Sequence, residues 1–139
     1  MTMEEQTVGI GQIYRIKANK QNNITPKDGL LFRLKYFVVL GFDALGNVYG
    51  GVVFDSEINR DYISPDFVDF FLPISSSKYS FLSHDSYIDC RKMKPVLLST
   101  LLEGDYCGQI EASDLDNILK LIKMSPRETY VRLRTFGII

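Results

Sequence analysis

Apolar and polar positions are patterned most clearly between Arg33 and Asp55, RLKYFVVLGFDALGNVYGGVVFD. Two runs rich in Val, Phe and Tyr flank a polar turn at 43–47, and Gly46 within it can take the positive φ that a short hairpin loop demands. The stretch predicts a β-hairpin. Leu34, Tyr36, Val38, Leu40 and Phe42 fall on one face of the first run, while Phe37 and Val39 fall on the other. Neither face is built for water, so the hairpin is predicted to be central, with cover on both sides. Gly50 and Gly51 interrupt the second run and predict a bulge or bend that lets a small sheet curl.

Around this hairpin, VGIGQIYRIK at 8–17 reads as a first strand, followed by a polar stretch at 18–29 dense in turn residues. A connection of that length points to a lid or a partner-binding loop. Beyond the hairpin, 56–64 is polar, and Ser64 capping Pro65 predicts a short helix. The apolar block 67–74 reads as strand through its second half. Ser75, Ser76, Ser77 and Lys78 then form a hydroxyl-rich turn before a strand at 86–90, whose end is crowded by Arg91, Lys92 and Lys94. One or two helical turns at 96–103, closed by Gly104, lead to a brief extended piece at 106–110.

The clearest helix follows, with Ser113 as its predicted cap, Asp114 and Asp116 in its first turn and Lys120 and Lys123 in its last. Leu115, Ile118, Leu119 and Ile122 make its buried stripe. Ser125, Pro126, Arg127 and Glu128 match a capping box for a short terminal helix, although 129–136 also has strand composition. Strands followed mostly by helix define a mainly β, α+β class: a small curled antiparallel barrel with a C-terminal helix.

At 139 residues the chain reads as one domain, 1–139, large enough for its own core. No apolar run approaches the roughly 20 residues of a membrane span. The acidic start, MTMEEQT, lacks the basic and apolar segments of a secretory leader, so the expected location is the cytoplasm. Cys90 and Cys107 sit in no CxxC array and read as small buried hydrophobes. The net charge of −1 argues against a wholly basic nucleic-acid binder, but the charges are segregated. Residues 11–40 carry six cations against Asp28 alone, and 41–75 carry six carboxylates against Arg60 alone. Either the fold has a basic and an acidic side, or folding mixes these charges over a solvated surface.

No phosphate-binding GxxxxGK[ST] loop, GxSxG elbow or HExxH pair is present, and His84 is the only histidine. A metal cluster is therefore not expected. His84 beside Asp85 reads as an acid/base pair or, more simply, as a polar loop residue. A stronger cluster is Ser75, Ser76 and Lys78 with Lys35 on a neighbouring strand. Hydroxyls and turn N–H groups can hold phosphate oxygens, and lysine adds charge where a phosphorane develops it. The plain alternative is an ordinary serine-rich turn.

GQIY at 11–14, KYFVVL at 35–40, LPISSSK at 72–78, SYIDCRKMKPV at 86–96 and CGQIEASDLDNILKLI at 107–122 together resemble the MazF/PemK group of toxin endoribonucleases. KYFVVL and PISSSK also look similar to ToxN, a relative from RNA-antitoxin systems. The resemblance implies an SH3-like barrel that cleaves single-stranded RNA without metal or cofactor, through a 2′,3′-cyclic phosphate. It assigns catalysis to Lys35, Ser75, Ser76 and Lys78; Arg33, Ser77, His84, Arg91 and Lys92 are the candidate RNA contacts around them. It also implies a homodimer inhibited by an antitoxin. Lys35 and Tyr36 stand where the family carries Arg-Pro, and Ser75 stands for a threonine; lysine lacks the two-pronged grip of arginine. Arg33 should share the face of Lys35. The competing expectation is a non-catalytic SH3-like module, either a degenerate toxin or a relative of the gyrase-poisoning toxins. Lys35 and Lys78 close together in a basic groove would favour the nuclease, and their separation beside an exposed apolar or acidic surface the binding module.

Overall fold

A computed structural model describes residues 8–27 and 29–139. The acidic stretch at 1–7 and Asp28 of the polar loop lie outside the described residues. One antiparallel sheet organises the rest: β1 (Gln12–Ala18), β2 (Arg33–Phe42), β3 (Val48–Asp55), β4 (Phe71–Ile74), β5 (Ser86–Leu97) and β6 (Asp105–Gln109). Their spatial order is β4-β5-β3-β2-β1-β6, curled into a half-barrel, with helices α1 (Leu98–Glu103), α2 (Ala112–Met124) and α3 (Tyr130–Thr135) packed on it. Among the described residues no helix is long and apolar enough to cross a membrane.

The β2-β3 hairpin is buried on both faces. Val38, Leu40, Val52 and Phe54 pack under Ile118 and Ile122 of α2, Leu133 of α3 and Phe136 just after it. Phe37, Val39, Tyr49 and Val53 form a second core with Tyr14, Ile16, Val96 and Leu101 of α1. Phe37, Val38 and Val39 are fully buried, and each contributes roughly 1.5–3 kcal/mol through burial. Gly46 sits in the turn at φ 70°.

The curl has a local cause. Register shifts fall between Val39 and Gly41 on β2 and between Gly51 and Val53 on β3. A Cβ on Gly51 would stand 2.1 Å from the Val38 carbonyl, and one on Gly41 would stand 1.9 Å from the Phe136 carbonyl. At the second position Phe42 N donates to Phe136 O at 3.1 Å, which ties the chain after α3 to the bulge.

Several element boundaries depart from the pattern reading. The 8–17 strand begins only at Gln12, because residues 9–11 turn, with Gln12 N donating to Gly9 O. Within the 18–29 loop, a 3-10 turn at Lys20–Asn22 is capped by Asn19, and the Asn22 amide donates to Pro95 O at 2.9 Å, so this end is anchored rather than open. The 86–90 strand runs on to Leu97 and takes Arg91, Lys92 and Lys94 into the sheet. Glu111, not Ser113, precedes α2. The capping box at 125–128 is not formed: Ser125 Oγ donates to Arg91 O, and Glu128 accepts from Met93 N and Arg132. Residues 130–135 are helical rather than extended, capped by Thr129. Cys90 is buried, but Cys107 is only partly so.

Candidate nucleic-acid site

The start of β2 and the end of β3 must meet, because a hairpin brings its two outer ends together. Lys35 at the entrance is therefore set against Asp55 at the exit, and their side chains form an ion pair that leaves Lys35 11% exposed. The ammonium also donates to Phe54 O at 3.4 Å. Asp55 faces Tyr87 on β5, and Tyr87 faces Pro73 on β4. Directly opposed residues share a face, so Lys35, Asp55, Tyr87 and Pro73 make one row across four strands. The next row holds Phe37, Val53, Asp89 and Phe71.

The Tyr87 and Pro73 end of the first row opens into a cleft of about 590 Å³. Its walls include Ser56, Glu57 and Arg60 from the chain after β3, Ser75 after β4, Asp85 before β5 and Ser86 at its start. Ser75 Oγ is 2.8 Å from Ser77 Oγ. Ser76 N donates to Asp85 Oδ1 at 2.8 Å. That bond and the Ser76 hydroxyl hold the Asp85 carboxyl below its usual pKa. His84 is exposed, with Nδ1 3.0 Å from the Asp85 carbonyl. Its neighbouring carboxylate is thus turned toward Ser76, and no His84–Asp85 side-chain pair forms.

Lys78 is directed elsewhere. Its ammonium donates to both oxygens of Asp114 at 2.9 Å and lies 3.4 Å from Glu111. Tyr79 Oη donates to the same Asp114 carboxylate at 2.6 Å and accepts from Glu111 N at 3.0 Å. The Asp114 bond raises the Lys78 pKa, and burial followed by the same carboxylate raises that of Tyr79. Tyr79 belongs to the core under α2, whereas Lys35 lies on the face of Phe37. The fold does not bring the two predicted catalytic lysines into one groove.

Arg91 and Lys92 line a separate cavity of about 360 Å³ with Asp89, Lys94, Pro126 and Arg127. Arg91 grips Asp89 through Nε at 3.0 Å and Nη2 at 2.8 Å, and its guanidinium stacks 4.8 Å from the Phe71 ring centroid. Asp89 raises the Arg91 pKa, whereas burial lowers that of Lys94. Arg33 begins β2 two positions before Lys35, opposite Ala18, and so shares its face.

Pattern reading missed Asp55, Ser56, Arg60, Tyr87 and Arg127. A signal for the first existed: the residue that closes a hairpin's second strand stands beside the one that opens its first. Among the described residues, no group of three His, Cys, Asp or Glu is gathered to hold a metal ion. A scan of protein-family models gave no match to this chain, and neither did a search of curated proteins.

Proposed function

We propose that the protein is an endoribonuclease of single-stranded RNA, with its reaction centre at Lys35 and Asp55. The observation that carries this reading is the ion pair itself, set in a row of residues that runs into a hydroxyl-lined cleft. A carboxylate beside an ammonium provides both halves of acid–base chemistry in one place. In the proposed reaction Asp55 accepts the proton of the substrate 2′-hydroxyl, whose oxygen attacks the adjacent phosphorus. Lys35 stabilises the charge on the phosphorane and protonates the departing 5′-oxygen. The new P–O2′ bond and the broken P–O5′ bond leave a 2′,3′-cyclic phosphate and a 5′-hydroxyl, and proton exchange with water resets the pair. Ser75 and Arg60 on the cleft wall hold non-bridging phosphate oxygens, a role for which Ser76, bonded through its N–H to Asp85, orients the turn. Lys78 is assigned to positioning α2 rather than to the phosphate.

The motif resemblance supports placing this activity in a cytoplasmic toxin of a toxin–antitoxin pair, acting as a homodimer silenced by its antitoxin. A second reading, a non-catalytic protein-binding module, is favoured by the separation of Lys35 from Lys78 and by the exposed Leu30, Leu31 and Leu34. Purified protein would be incubated with long single-stranded RNAs in excess EDTA, beside Lys35→Ala and Asp55→Asn variants matched by circular dichroism. Discrete fragments with 5′-hydroxyl ends from the wild type alone support the nuclease. RNA left intact across several sequences overturns it in favour of the binding module.

A further inference from the structure

We propose that the cavity between β5 and the α2–α3 connection is a phosphate-binding subsite that takes a backbone phosphate of the RNA strand. Naming RNA as the source rests on the nuclease reading; the phosphate chemistry does not. Four cations, Arg91, Lys92, Lys94 and Arg127, line the cavity against the single carboxylate of Asp89. Asp89 is already occupied by both prongs of Arg91. Among the described residues, no carboxylate pairs within salt-bridge distance of Lys92, Lys94 or Arg127.

The cations are held in place before any ligand arrives. Two steps along β3, from Gly51 to Val53, are matched by five along β5, from Lys94 to Asp89. The surplus residues form a bulge that throws Arg91 and Lys92 outward. This bulge is clamped from behind: Met93 N donates to Glu128, Arg132 Nη2 donates to Met93 O at 2.6 Å, and Ser125 Oγ donates to Arg91 O. Across the cavity, Arg127 lies over the Phe67 ring at 5.4 Å. Lys94 is half-buried beside the sheet, and its ammonium donates to the Asn23 carbonyl at 3.2 Å. Burying an ammonium without a contacting anion is unfavourable, and a bound phosphate reverses that term. The direction of the Lys94 pKa agrees, since burial lowers it despite Asp89 and Asp55 nearby, with Arg91 and Lys92 adding to the depression.

The subsite lies within reach of the reaction centre. Asp55 faces Tyr87, and Arg91 is four positions further along the same strand, at most about 13 Å away. One extended strand of RNA touches both. Free phosphate and a small phosphorylated molecule carry the same chemistry, so the test separates these sources.

The probe is a fluorescein-labelled 2′-O-methyl oligonucleotide, which has no 2′-hydroxyl to attack with, followed by anisotropy over a range of salt concentrations. A Lys94→Met, Arg127→Gln double variant is expected to bind at least tenfold more weakly, with a log–log salt slope shallower by about 0.7, the loss of one phosphate contact on a single strand. Lys92→Glu, a change at an exposed position, is expected to weaken binding in a fully folded protein. Unchanged affinity and slope in either folded variant overturn the proposal. Inorganic phosphate should displace the oligonucleotide from the wild type down to the residual level of the double variant. Calorimetric phosphate binding lost in the double variant while oligonucleotide affinity is unaffected overturns RNA as the ligand source. Weakened binding in a protein that cuts no RNA keeps this subsite and defeats only the nuclease reading, whereas RNA cutting with unaffected variant binding does the reverse.

Discussion

Lys78 donates to both carboxylate oxygens of Asp114, 36 positions along the chain, and so fastens the serine turn to the first turn of α2. Asp114 is 5% exposed and also accepts from Tyr79 Oη. Removing it strands a phenol in the core and a lysine at its edge. Asp114→Ala is therefore expected to cost about 3 kcal/mol, read as a lower urea midpoint with an unchanged slope. Lys78→Ala should lower the midpoint less, because water reaches that side of the pair, and should leave the RNA-cleavage rate per folded molecule intact. A Lys78→Ala protein that folds normally but has lost cleavage would return Lys78 to the reaction centre.

Lys35 and Asp55 are expected to behave as one unit. Lys35→Ala removes the charge proposed for the phosphorane, and Asp55→Asn removes the proposed base, so each should reduce cleavage about a hundred- to thousand-fold. If the pair acts jointly, the double variant will be scarcely worse than either single one. Single-turnover rates under saturating protein measure this. Multiplicative losses would mean that the two residues act independently.

Gly41 offers a test of how the C-terminal segment is seated. Any side chain there meets the Phe136 carbonyl, which is backbone and cannot swing aside. Gly41→Ala is expected to cost about 1–3 kcal/mol and to break the Phe42 N to Phe136 O bond. Amide exchange at Phe42 should accelerate more than exchange in β1. Uniform acceleration across the sheet would count against a local cause.

The two buried cores were legible because Phe37, Val38 and Val39 present apolar side chains to both faces without a break, and Gly50-Gly51 marked where the sheet bends. Such signals are local. The partners of the charged residues were not legible, because they are set by tertiary packing. Asp114 has the sequence position of a residue that simply complements a helix dipole, yet its carboxylate is spent on Lys78 and Tyr79. Ser125 and Glu128 have capping-box spacing, yet both reach back to β5. Lys35 stands out in the sequence as the charge at the hairpin entrance. Its partner Asp55 lies outside the serine turn that the motifs emphasise, although hairpin pairing alone places it opposite.

Acid should loosen the serine turn selectively. The Ser76 backbone N–H and hydroxyl, with a smaller effect from His84, favour the charged form of Asp85 and depress its pKa. A depressed carboxylate adds stability that is full above its unfolded value, about 3.9, and is lost as pH falls through the folded one. The Ser76 amide resonance should accordingly titrate below about pH 4, while the amides of α2 stay fixed. Asp85→Asn should abolish that titration. A Ser76 amide that still titrates in the variant would assign the effect to another group.

Lys94 carries the last prediction, in which stability and binding move in opposite directions. Partial burial disfavours the ammonium, so the unfolded chain holds that proton more tightly than the folded one. Stability should then rise with pH once Lys94 begins to deprotonate in the fold, and the penalty should be fully present at neutral pH. Methionine keeps most of the length of the lysine stem without the charge. Lys94→Met is expected to raise the melting midpoint at pH 7 by a few degrees, even after losing the bond to the Asn23 carbonyl. The same variant should bind the oligonucleotide more weakly, as sites built for an anion tend to be strained when empty. The comparison is made by melting wild type and variant with and without inorganic phosphate. Phosphate should stabilise the wild type and close the gap, because only that protein presents the ammonium. If Lys94→Met melts lower than the wild type without phosphate, the lysine is stabilising the fold through contacts of its stem, and stability and binding no longer oppose each other at this position.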